Sequence, residues 1–116
     1  MDKLAKYRQI IQEVLTEYSS HKFVNEDKAD EFERQTIFDT KNDHYQVTNI
    51  GWEKFDRTFS TPIHIDIKNE KVWVQQNMTD YDFIGDLVEK GIPKEDIVLA
   101  FHPPYKRPYT GFGVGV

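Results

Sequence analysis

Residues 55–76 read FDRTFSTPIHIDIKNEKVWVQQ, and their periodicity decides the fold. At the centre, Ile63, Ile65 and Ile67 alternate with His64, Asp66 and Lys68. Successive side chains of a strand point to opposite faces, so this stretch is a half-buried strand with one apolar and one polar side. Lys68, Asn69 and Glu70 then turn the chain into a second strand, in which Val72 and Val74 share a face opposite Trp73. Towards the N-terminus, Ile37–Thr40 and Tyr45–Trp52 are rich in β-formers. Lys41, Asn42 and Asp43 separate them, a turn whose residues tolerate left-handed backbone and hydrogen-bond locally. Glu53 and Lys54 interrupt the next pair. Strands over 37–40, 45–52, 55–68 and 72–76 with short links predict a four-stranded antiparallel meander. Strand, helix and strand do not visibly alternate, which disfavours a parallel nucleotide-binding sheet.

The flanks predict helices. Leu4, Tyr7, Ile10, Ile11, Val14, Leu15 and Tyr18 recur at spacings of three and four, with Asp2 placed as a cap, so an amphipathic helix opens the chain. Residues 25–34 read NEDKADEFER, a charge run that predicts an exposed acidic linker. A second main helix is expected from Thr79, with Phe83, Ile84, Leu87 and Val88 as its buried stripe and Gly91 as its left-handed terminator. Pro93 forbids its continuation. Ile97–Phe101 reads as either a short helix or a buried strand, and the short helix is preferred. Residues 102–116, HPPYKRPYTGFGVGV, predict an extended arm that packs on the body or reaches a neighbouring subunit. The expected architecture is a single α+β domain over residues 1–116, a two-layer sandwich with one long and one short helix after the meander.

Composition bounds the function. At 116 residues the chain has the size of one domain. With 38% hydrophobic residues it has material to bury roughly 65% of its unfolded surface. Cysteine is absent, which removes disulfides, thiolate catalysis and cysteine-ligated metal. The longest apolar run, Ile97–Phe101, is far short of a membrane span, and nothing resembles a signal peptide, so a cytoplasmic protein is expected. Lysine and arginine number 15 against 20 aspartates and glutamates, a formal net charge of −5. DNA binders displace counterions with a basic stripe, so direct nucleic-acid binding is disfavoured.

Several residue sets invite chemistry. His64, Asp66 and Lys68 share one strand face, where a histidine beside a carboxylate is able to act as a base or hold a metal. Asp66 and Lys68 also have the Asp-x-Lys form of metal-dependent nuclease cores, with Asp56 as an upstream acid, although a meander is the wrong sheet for it. Asp39, Asp43, His44 and His102 are an imaginable oxygen and nitrogen cluster, but a turn rich in aspartate and asparagine is ordinarily just a turn. No nucleophile elbow, glycine-rich phosphate loop or helical pair of histidines occurs. No catalytic residue, metal or cofactor is assigned. Lys106 and Arg107 between Tyr105 and Tyr109 form the one basic and aromatic cluster, better suited to protein contact than to bases.

YRQIIQEVLTEY, DTKNDHYQVTNIGW, HIDIKNEKVWVQQN and LVEKGIPKEDIVLAFHPPYKR, in that order over nearly the whole chain, resemble the XisI family of cyanobacterial fdxN element excision controlling factors. The resemblance implies a non-enzymatic accessory protein for developmentally regulated excision of a DNA element by a separate site-specific recombinase. It implies a companion protein, XisH, as partner, and residues 25–34 as a variable connection. An acidic domain suits the holding of a basic protein surface better than the gripping of DNA. His64, Asp66, Trp73, Tyr105, Lys106 and Arg107 are the candidate interaction surface. The alternatives are a small metal-dependent nuclease or hydrolase using His64 and Asp66, and a DNA-binding architectural cofactor. The arm and the open edges of a meander also predict a homo-oligomer.

Overall fold

The computed structural model describes residues 2–21 and 31–115, so the expected linker is described only from residue 31. Helix α1 spans Lys3–Ser20 and is capped by the Asp2 carboxylate, which accepts from the Ala5 amide at 2.8 Å. Its stripe of Tyr7, Ile10, Ile11, Val14, Leu15 and Tyr18 is buried. Strands β1 (Phe32–Asp39), β2 (His44–Glu53), β3 (Asp56–Lys68) and β4 (Lys71–Asn77) follow as an antiparallel meander. β1 thus begins inside the acidic stretch, because Phe32 and Arg34 lie on the face towards α1, where the Arg34 guanidinium sits 4.9 Å from the centre of the Tyr18 ring. Two-residue turns join the later strands, with left-handed Asn69 (φ 53°) and Glu70 (φ 62°) between β3 and β4.

The sheet has five strands, not four. Ile97–Leu99 is a short strand, β5, parallel to β4 with Val72, Trp73 and Val74 opposite Ile97, Val98 and Leu99. A helix is therefore the wrong reading for this segment. All three β5 residues are buried because the strand is covered on both sides, which is what an unbroken apolar run means in a strand. The chain reaches β5 by a crossover through α2, Phe83–Glu89. This helix is shorter than expected and starts at the cap Asp82, whose carboxylate accepts from the Gly85 amide at 2.9 Å. Thr79 instead binds the Tyr81 amide ahead of the helix. Gly91 (φ 122°) ends the helix, and the Ile92 amide reaches back to the Leu87 carbonyl at 3.1 Å.

One sheet face makes the core. Tyr45, Val47, Ile63, Ile65, Ile67, Val72, Val74, Ile97 and Leu99 pack on the buried stripe of α1 and on Phe83 and Leu87 of α2. Two irregularities set which residues face inward. Between the pairs Val47–Ile63 and Asn49–Ser60, β3 carries an extra residue at Thr61–Pro62. Without that bulge Ile65 rather than Asp66 would stand opposite His44, and the isoleucines would leave the core face. Between the pairs His64–Gln76 and Ile65–Val74, Gln75 is the extra residue of β4.

The arm packs on the body. After a 3-10 turn at Pro104–Tyr109, Gly113 bridges Val98 in parallel and its amide donates to the Ile97 carbonyl at 2.8 Å. A Cβ on Gly113 would stand 2.5 Å from the Glu95 carbonyl oxygen, so only glycine fits. The arm thereby covers the β4–β5 half of the outer face and leaves the β1–β3 half open. No described helix is long and apolar enough to cross a membrane.

Candidate functional site

On the outer face, strand register builds one row: Asp39, His44, Asp66, Trp73 and Val98 stand opposite one another in turn across all five strands, the last two under the arm. The neighbouring row is Ile37, Gln46, His64 and Gln76. Asp66 stands opposite His44, and His64, two residues earlier on β3, points to the same face beside it. His44 Nδ1 and His64 Nε2 each lie 2.7 Å from the same oxygen, Asp66 Oδ1. Gln75 Nε2 donates to the other carboxylate oxygen at 3.2 Å. The bulge that makes Gln75 the extra residue is what brings it to this spot.

The electrostatics follow from these contacts. Burial pushes the Asp66 carboxyl up, but the hydrogen bonds from His44 and His64 win and hold it below the ordinary value. The hydrogen bond to Asp66 raises His44 against the opposing effect of partial burial, and the nearby charges of Asp66, Asp39 and Asp43 add to it. Asp66 is mostly buried, His64 is a quarter exposed and His44 is half exposed. The donor atoms of these three residues lie within 4.8 Å of one another, the one such histidine and acid cluster among the described residues.

The structure brings together only part of what the sequence suggested. His64 and Asp66 meet, with His44 added by the β2–β3 register. Lys68 turns away, its Nζ 4.1 Å from the centre of the Trp73 ring. Asp56 stands at the far end of β3 opposite Glu53, roughly 30 Å of strand from Asp66 by the usual rise per residue, so the Asp56, Asp66 and Lys68 constellation is not assembled. Asp43 faces elsewhere: its carboxylate takes two bonds from Arg8, at 2.8 and 3.1 Å, and one from the Tyr45 hydroxyl at 2.9 Å. Asp39 holds the β1–β2 turn through the amides of Lys41 and Asn42. His102 belongs to the arm, where its carbonyl accepts from Arg107 Nε at 3.2 Å.

Trp73 is buried, with its Nε1 donating to the Lys68 carbonyl at 3.1 Å and the Arg107 guanidinium 5.5 Å from its ring centre. The arm closes over it, so Trp73 supplies the seat of the arm rather than a solvent-facing contact, and Arg107 is half-buried beside it. Tyr105 and Lys106 are exposed on the 3-10 turn. Another exposed apolar set was not picked out in the sequence. Ile50, Trp52, Arg57 and Phe59 share one face of the outer β2–β3 hairpin, with Trp52 half exposed and Phe59 at 68%. Phe55 at the hairpin tip is 96% exposed, and Ile37 on the open row is 48% exposed.

Comparison with known proteins agrees with this architecture. No curated protein matches the chain. An XisI-like protein of Anabaena variabilis ATCC 29413, known from its crystal structure, superposes with a TM-score of 0.85 at 43% identity, over 97% of this chain and 99% of that one. A second crystal structure from the same organism, described as fdxN element excision controlling factor XisI, gives a TM-score of 0.82 at 31% identity, over 98% of this chain and all of the other. The family model for XisI protein matches residues 1–114, so that α1, the whole sheet and most of the arm lie within it, and the chain belongs to the XisI family.

Proposed function

We propose that this protein is a controlling factor in the excision of a DNA element, working without catalysis by holding an XisH-like partner and, through it, a site-specific recombinase. One observation carries the contact reading: the outer β2–β3 hairpin exposes Trp52 and Phe59 on one face, with Phe55 exposed at its tip. Aromatic residues of this kind, with an arginine among them, supply the buried area and anchoring of protein interfaces. Arg57 lies 5.3 Å from the centre of the Trp52 ring, a pairing that keeps the ring oriented. His64 and Asp66 lie farther along the same outer face, and Tyr105, Lys106 and Arg107 of the arm are the further candidates for the contact. The net charge of −5 favours a partner with a basic face over bare DNA. The 31% identity to a protein described as an excision controlling factor supplies the process.

The test is co-purification with an XisH-like protein at low and moderate salt, with and without DNA. A stable complex without DNA is expected, lost in Phe59→Asp and in Trp52→Ala. Failure to form a complex in any condition would overturn the reading. A complex that survives both substitutions would move the contact away from the hairpin.

A further inference from the structure

We propose that His44 Nδ1, His64 Nε2 and Asp66 Oδ1 form a three-ligand site for a first-row divalent cation, zinc in the first place, with water completing the coordination. This site stands on the fold and is independent of the partner reading. Two histidines and one carboxylate, supplied by two adjacent strands, converge on one point. Two imidazoles with a single carboxylate and no thiolate select zinc and its neighbours over calcium or magnesium, which prefer all-oxygen sites.

The dimensions fit. Zinc binds imidazole nitrogen and carboxylate oxygen at about 2.0–2.2 Å, which sets tetrahedral donors about 3.3–3.5 Å apart. The nitrogens now stand 2.7 Å from Asp66 Oδ1, so an ion enters by widening two hydrogen bonds by less than about 1 Å. His44 is half exposed and free to make that adjustment, and it leaves the site open to solvent for entry. Strand pairing already holds the three residues side by side, with their donor atoms within 4.8 Å of one another.

The surroundings favour a cation. Among the described residues, Asp66 has no lysine or arginine in an ion pair, since Lys68 and Arg107 both stand over Trp73 instead. Asp39 and Asp43 add negative potential at His44. Gln75 fixes the carboxylate from its second oxygen, the outer contact that orients a ligating acid. That contact exists only because of the bulge at Gln75, and bulges that re-aim a side chain recur beside functional sites.

The test uses the full-length chain, stripped with a chelator and titrated with zinc chloride by calorimetry near neutral pH. One ion per chain is expected. His44→Ala and His64→Ala should each weaken binding by at least about tenfold, the lower range seen even for removal of an outer-shell contact. His102→Ala should leave it unchanged. Cobalt(II) should give the visible bands of a low-coordinate site, and long-range proton–nitrogen spectra should report zinc on His44 Nδ1 and on His64 Nε2. His44→Ala alters a half-exposed residue, and its circular dichroism is expected to match the parent. Absence of binding at millimolar zinc would overturn the proposal. So would binding that is undiminished in both His44→Ala and His64→Ala, which would place the ion elsewhere on the surface.

Discussion

Tyr7 and Asp96 lie 89 positions apart, and the Tyr7 hydroxyl donates to the Asp96 carboxylate. Lys3 Nζ at 3.2 Å and Lys71 Nζ at 3.5 Å meet the same carboxylate, so α1, β4 and the turn before β5 are joined at one acid. A bond to a charged acceptor contributes about 1.5–3 kcal/mol. Tyr7→Phe should lower the unfolding free energy by about that amount, with an unchanged denaturant slope. Urea titration followed by circular dichroism checks it, and an unchanged midpoint would remove the clasp from the stability account.

The same acid makes a prediction about pH. Burial opposes ionisation of Asp96, yet the bonds from Tyr7 and Lys3 and the charges of Lys3 and Lys71 keep its carboxyl below the ordinary 3.8. A carboxyl depressed in the folded state stabilises the protein above its unfolded value and loses that contribution as pH falls through its folded value. The part of acid destabilisation due to Asp96 therefore falls below about pH 4. Asp96→Asn should be less stable than the parent at pH 7, and the gap should narrow as pH drops towards 2. Thermal melts across that range measure the gap, and a constant difference would refute the assignment.

Gly113→Ala should detach the arm. Its new Cβ has a backbone carbonyl 2.5 Å away, which cannot yield as a side chain end can. A loss of more than about 1 kcal/mol is expected, as for alanine forced into an incompatible site. Trp73 emission should also shift to the red, read in a Trp52→Phe background so that one indole reports. Stable protein with unshifted emission would show that the arm is not the cover of Trp73.

β1 ends the strand order and presents its outer edge among the described residues. Open edges pair with second copies unless they are blocked. Light scattering is expected to return a multiple of the 13.7 kDa chain mass. Replacing Thr36 with proline, which removes an edge donor and bends the strand, should reduce it to one chain. A monomer mass for the parent would end the idea.

What was legible in the sequence was local. The alternation of Ile63, Ile65 and Ile67 and the three-and-four spacing of α1 are properties of neighbouring residues, and in the structure both sets are buried. Gly91 and Ile92 closed α2 as their types required. β5 is not legible in the sequence because three residues are too few to show a period, and burial on both faces erases alternation. The start of α2 was displaced because Thr79 and Asp82 are both sound caps and only the packing of Phe83 decides between them. The grouping of His44 with Asp39, Asp43 and His102 omits its hydrogen-bond partner Asp66 and the neighbouring His64, because these are set by the β2–β3 pairing and are not visible in the local sequence. The one available clue was Pro62 inside a strand, a residue that signals a bulge and hence a shifted register.

The extra residue at Thr61–Pro62 also gives the gene a reading rule that substitutions do not test. Each side of β3 is defined by odd or even position counted from the hairpin tip, and the bulge changes that parity once. Substitution at Ser60 or Thr61, both at least partly exposed, alters one side chain. Deletion of either restores the parity and presents His64, Asp66 and Lys68 to the core in place of three isoleucines. Length variation should therefore be fatal here while composition is free, and expression of a Ser60 deletion beside Ser60→Ala, compared by yield of folded protein, would separate the two.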